Sequence, residues 1–246
     1  MNKVNSIEQT RLLNNKKYRE WYKKEILPKN YSPIVHLGVN IGLLLSAILV
    51  HFVMVKDWSF LSLVLMIMIF FLGNVVVFII HKYPLHRRYK WWTFPYDTHT
   101  VEHHRYFTAE TITFDSSMDF NAVFFPMSVV AGFTFIGQPL IYFAVSYYLG
   151  ADVGHVLAGS AAGYFLMYEF FHWASHLAKD HFLMNVPWIL YMRQHHLAHH
   201  NPRLMSRYNF GIVDPIVDFI MGTKYQGDLP QDLDEDHYKD VKSNLG

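Results

Sequence analysis

Two long stretches of the chain, residues 34–55 and residues 59–80, contain no Lys, Arg, Asp or Glu. Each runs for 22 residues, and about 20 apolar residues in an α-helix cross the hydrocarbon core of a bilayer. Only Lys56-Asp57-Trp58 separates them, so the pattern predicts a tight transmembrane hairpin. The second half is less regular. Residues 119–149 are apolar but interrupted by Pro126, Gly132, Gly137 and Pro139, and residues 153–171 are apolar and rich in Gly and Ala. They read as two further spans, the first using part of 119–149, with a break at Gly150-Ala151-Asp152. A re-entrant hairpin over 119–149 is the alternative. Gly154, Gly159, Ser160, Ala161, Ala162 and Gly163 would let helices approach closely. The expected fold is all-α and integral to the membrane, with four transmembrane helices in two hairpins.

Charge orients this arrangement. Residues 1–29 hold eight Lys or Arg against three acids, and the first hairpin returns into His81-Lys82-Tyr83-Pro84-Leu85-His86-Arg87-Arg88-Tyr89-Lys90. Positive flanks mark the cytoplasmic side. Residues 1–33 therefore read as a basic cytoplasmic arm rather than a nucleic-acid tail, and no nucleic-acid partner is expected. Residues 34–226 form the membrane domain, and residues 227–246 an acidic tail with the C-terminus also cytoplasmic. The polar, charged start lacks a cleavable signal peptide pattern. Charged residues make up 17% of the chain, below the roughly 25% of soluble domains. The chain has no cysteine, which excludes disulfides, thiolate metal sites and cysteine nucleophiles.

Sixteen histidines are the compositional outlier. Ten fall in four groups within segments 81–104 and 172–200: His81 and His86; His99, His103 and His104; His172 and His176; His196, His199 and His200. On a helix, residues three or four apart share a face. His172 and His176 then project together, His196, His199 and His200 form one cluster, and His99 pairs with His103 while His104 turns away. His81 and His86, five apart, fall on different faces of an ideal helix, although Pro84 ends a regular helix between them. The predicted topology gathers all four groups at one face as a histidine-rich cytosolic cap. Neutral imidazole is a good ligand for iron, zinc, copper and nickel. Ten such ligands suit two metals with open positions, where one metal would use three or four. His36, His51, His155 and His237 read as isolated hydrogen-bonding or solvated residues. His181, His195 and Asp218 are candidates for orienting ligands from behind, and Asp214 is a weaker one.

These boxes resemble the membrane fatty acid hydroxylase / sterol desaturase superfamily, over roughly residues 36–226. The resemblance is nearest to its fatty acid 2-hydroxylase branch, where an extra HxxxH box, here His172 to His176, precedes the last. The final box, His195-His196-Leu197-Ala198-His199-His200, is followed by Asn209-Phe210-Gly211, Asp218 and Gly222-Thr223. That order is similar to the family's "FG…WD…GT" tail, with Val217 where Trp is usual. His99 stands four residues before His103, where the family's second box has two intervening residues. Segment 105–120 does not match the 2-hydroxylase branch.

The resemblance implies two metal ions, iron in this family, O2 as co-substrate, and hydroxylation or desaturation of a lipid drawn from the bilayer. The haem-binding motif of a fused cytochrome b5 domain is missing. Electrons are then expected from a separate cytochrome b5, ferredoxin or reductase. The catalytic group would be the metal centre itself. Two rivals come from other classes. A metal transporter or sensor would place acids in mid-membrane, and these spans hold almost none. A zinc hydrolase would carry a general base as in HExxH, and only Glu102 and Glu169 stand beside a box.

Overall fold

The computed structural model describes residues 3–227, with side chains from residue 14 onward. The acidic tail and His237 therefore lie outside the described residues. Among those described the chain is helical and no strand forms; the nearest approach is one bridge between Tyr89 and Trp92.

A helix α1 spans Lys3–Glu25. Next comes α2, Pro33–Val53, where the Ser32 hydroxyl accepts from the Val35 N–H and Pro33 fills the first turn. That pairing suits a helix start, because the first N–H groups lack intrahelical partners. The Ser59 hydroxyl caps α3, Phe60–Ile80, in the same way. The sequence expectation of 34–55 and 59–80 is met to within two residues at each end. α3 does not stop at Ile80. It continues as a π-helical turn over His81–Leu85, with Pro84 inside. A second widened turn, Asp97–His103, forms the middle of a helical segment α4, residues 94–106.

The region read as interrupted, 119–149, contains one continuous helix, α5, Met127–Leu149. Its Gly132 and Gly137 bound a π turn rather than a break. Gly150 then takes φ +89°, a left-handed conformation natural to glycine alone. This turns the chain into α6, Ala151–Ser175. Two short helices complete the fold, α7 over Pro187–His199 and α8 over Ile216–Ile220.

α2, the extended α3 and α5 are each long and apolar enough to cross a membrane. Their outward faces are apolar and exposed, as at Ile67, Phe60, Phe135 and Phe143. Such a surface is stable only in contact with lipid or another apolar phase. α6 packs against all three and is the centre of the bundle. At the end remote from the ten clustered histidines, the Asp152 carboxylate accepts from the N–H groups of Lys56 and Asp57. This ties the α2–α3 turn to the start of α6.

α3 and α6 meet at Gly73, where a Cβ would lie 2.6 Å from the Tyr164 ring. The Tyr164 hydroxyl donates to Asn74 at 2.8 Å. Gly73→Ala is therefore expected to force the ring away and break that bond, lowering stability by about 1–3 kcal/mol. Thermal denaturation in detergent checks this, and an unchanged midpoint would refute the close-contact reading.

Candidate metal centre

The ten clustered histidines converge. Ligand-capable nitrogens of His81, His86, His99, His104 and His199 all lie within 4.8 Å of one another, as do those of His103, His172, His176 and His196. His200 joins the second group, its Nε2 lying 3.2 Å from that of His103 and 2.9 Å from that of His196. The groups abut, with the His104 ring stacked on His200 at a centroid distance of 4.3 Å. All ten are buried.

The grouping differs from the one helix periodicity predicts. His81 and His86 fall in the same group, as do His99 and His104, whose Nε2 atoms lie 3.1 Å apart. Both pairs are five residues apart, and each rides on a π turn. Where N–H groups reach back five residues rather than four, residues five apart stack. His103 meanwhile turns to the second group, its Nε2 3.3 Å from that of His172. The box of α7 is also divided. His199 serves the first group, while His196 and His200 serve the second. His172 and His176 share a group as spacing predicts.

The ring orientations carry the chemical argument. His103 Nδ1 faces the Ala122 carbonyl at 2.6 Å and His200 Nδ1 the Phe107 carbonyl at 2.5 Å. A carbonyl only accepts, so each Nδ1 carries the hydrogen and each Nε2 of the neutral ring carries a bare lone pair. These two bare nitrogens face each other at 3.2 Å. His86 and His199 repeat the pattern. The Thr100 hydroxyl donates to Leu85 O and so accepts from His86 Nδ1, while His199 Nδ1 donates to Tyr208 O. Their Nε2 atoms stand 3.0 Å apart. His81 and His176 are held likewise by Phe210 O and Ile112 O. Facing lone pairs with no hydrogen between them repel, and a shared cation removes the repulsion. The donor set fits a metal in each group.

Other candidates lie behind the ligands. His195 bonds Asp218 at 3.2 Å, and Asp218 also accepts from Phe210 N, Gly211 N and the Thr223 hydroxyl. Burial opposes its charge, but these donors outweigh it and hold its carboxyl below the ordinary range. Asn209 adopts φ 60°, which asparagine tolerates, and its amide donates to His195 O. The turn there aims the flanking carbonyls of Tyr208 and Phe210 at His199 and His81. Neither role is marked by spacing in the sequence: Asn209 acts through backbone carbonyls, and Thr100 is a lone hydroxyl that meets His86 directly. The Asp214 carboxylate accepts from the nearby Ile216 N–H. His181 caps the 182–185 turn through Leu183 N and enters neither group. His51 and His155 are not isolated, for their Nδ1 atoms meet at 3.0 Å. His36 bonds Tyr31 and Phe125 O.

Two cavities reach the site. One of about 470 Å³, almost wholly apolar, lies between α3, α5 and α6 and ends at His81, Leu85, Phe125 and Tyr168. A smaller one of mixed polar and apolar lining, about 130 Å³, touches His99, His103 and His172 beside Glu102 and Asn121. Glu169 is buried, its Oε1 accepting from Phe125 N and Asn40. No known protein family, curated protein or solved structure matches the chain. Fold and site together define a helical protein with membrane-spanning-length helices and two adjoining buried polyhistidine groups able to hold metal ions.

Burial, followed by repulsion from neighbouring imidazoles, pushes His99, His104, His196 and His199 well below their ordinary values and His86 to about 2. Because these folded-state values lie below about 6.5, the unfolded value, protons favour the unfolded chain. Metal-free protein is expected to keep its stability above about pH 6.5 and lose it as the pH falls further. A thermal midpoint that stays flat on acidification of the chelated protein would contradict this.

Proposed function

We propose that this chain is an O2-dependent lipid oxidoreductase of the membrane fatty acid hydroxylase / sterol desaturase kind, hydroxylating a C–H bond of a fatty acyl or related lipid. The observation that carries the proposal is the pair of five-histidine groups, side by side, with bare Nε2 atoms facing inward. His81, His86, His99, His104 and His199 would hold one iron, and His103, His172, His176, His196 and His200 the other. All-nitrogen ligation with several ligands each suits iron. Bound there, the two irons would supply the activation of O2.

The remaining requirements fall to the protein. The apolar cavity between α3, α5 and α6 is of ligand size and faces the region where lipid tails lie. Its inner end at His81 would present one carbon of a tail to the centre. Its Val, Ile and Phe wall would keep water away from a reactive site. Hydroxylation consumes O2, two electrons and two protons per C–H, leaving an alcohol and water. The electrons would come from a separate carrier such as cytochrome b5, a ferredoxin or a reductase. In this reading α6 is a fourth span, and the basic residues Lys82, Arg87, Arg88 and Lys90 put the histidine cap in the cytoplasm.

Protein purified after iron-replete expression is expected to hold about two irons per chain. With membrane lipid, a reductase–carrier pair and labelled O2, it should yield an alcohol bearing one labelled oxygen. His86→Ala and His200→Ala should each lower turnover on the order of 100-fold. An alkene without label would instead indicate desaturation. Fewer than two metals together with no O2-dependent lipid product would overturn the reading.

A further inference from the structure

The second histidine group depends on the stretch of chain that connects α4 to α5. His200, His176 and His103 donate their Nδ1 hydrogens to the carbonyls of Phe107, Ile112 and Ala122. All three carbonyls belong to residues 107–122, a run of turns and bends followed by a short 3-10 helix, Ser117–Ala122. A carbonyl orients an imidazole only if the carbonyl is itself held in place.

α1 supplies the hold. Arg19, only 3% exposed, donates through Nε to Tyr106 O at 2.8 Å and through Nη1 to Thr113 O at 3.1 Å and Asp115 at 3.0 Å. Its Nη2 donates to Thr111 O. These bonds bracket Phe107 on one side and Ile112 on both. Asn15 adds donors to Arg105 O and Tyr106 O and accepts from the Thr111 hydroxyl. Lys23 pairs at 2.7 Å with Asp119, and Asn121, next to Ala122, donates to the Tyr22 hydroxyl. The first group takes no carbonyl from this stretch. Its acceptors Tyr208 O and Phe210 O are set by Asn209 and Asp218 near the other end of the chain.

We propose that Arg19 is a positioning residue for the second histidine group. By fixing the carbonyls of residues 106–113 it keeps the Nε2 atoms of His176 and His200 aimed at that group's metal, while Asp218 serves the first group separately. The proposal rests on the metal-binding part of the functional reading. A planar guanidinium reaching four acceptors cannot be replaced by an ammonium, whose donors radiate from one point.

The test uses full-length protein with metal content, chelator release kinetics and histidine modification by diethylpyrocarbonate as readouts, none of which needs turnover. Wild type is the control for the functional reading: it should hold about two metals with both groups protected, and no bound metal would overturn reading and proposal together. Given a loaded wild type, Arg19→Lys should release one metal about 10- to 100-fold faster, exposing His176 and His200 while His86 and His199 stay protected. Asp218→Asn should show the reverse map. Asn15→Ala, a milder change on the same helix, should reproduce the Arg19→Lys pattern more weakly and covers the case where the arginine variant does not fold. Unchanged release in Arg19→Lys or, should that variant not fold, in Asn15→Ala would overturn the proposal. So would loss of both metals in step in any of these variants.

Discussion

A neutral imidazole carries one ring hydrogen, and nearly everything near the site follows from where that hydrogen points. Five of the ten clustered rings give it outward to a backbone carbonyl and a sixth, His86, gives it to the Thr100 hydroxyl. The inward nitrogens are then obliged to be bare. Rings packed this way would push one another apart, by lone-pair repulsion when neutral and by charge when protonated. A cation in each group would turn that repulsion into ligation. The backbone of residues 106–123 and 208–223 can be viewed as a frame for carbonyls, with its side chains holding the frame.

The helical bundle meets the site through α6. Along its length Tyr164 and Tyr168 wall the apolar cavity, and at its end His172 and His176 enter the second group. The extended α3 makes the matching connection on the other side, where Leu72, Val76 and Ile80 line the cavity and His81 closes it. A lipid tail held between these helices would therefore be measured against the histidines by two rigid elements. For the proposed lipid substrate this placement is a more direct argument than the histidine count, because a polar substrate would not need an apolar channel lined by spanning-length helices.

Much of this was legible in the sequence, and the gaps have physical causes. Uninterrupted apolar runs made α2 and α3 readable to within two residues. Imidazole is so specialised a side chain that clustering alone singled out the ten candidate ligands. Their partition was not readable. Counting by three and four separates His81 from His86 and joins His99 to His103, but a π turn reverses both assignments. Pro84 was the available signal, since a proline inside a helix removes a donor and invites a wider turn. Arg19 could not have been found this way. It lies in a stretch that reads as a charged flank, and three of its four acceptors are carbonyls about ninety residues away, which no side-chain pattern announces.

Placing such a site at the junction of bundle and cap reconciles two demands that conflict elsewhere. The proposed oxidation of an unactivated C–H bond would favour a dry, apolar approach, while bare imidazole nitrogens need polar neighbours to fix their orientation. In mid-membrane the carbonyls of regular helices are already committed to their own ladders and could not accept from these rings. In the exposed part of a cap, water would reach the nitrogens. At the boundary, α3 and α6 bring apolar walls up from one side, and irregular backbone with free carbonyls comes down from the other. His81 stands where they meet, with Phe210 O behind its Nδ1 and the apolar cavity beside it. The two π turns belong to the same solution, since they let helices carry ligands at spacings that a regular ladder would point away from the centre.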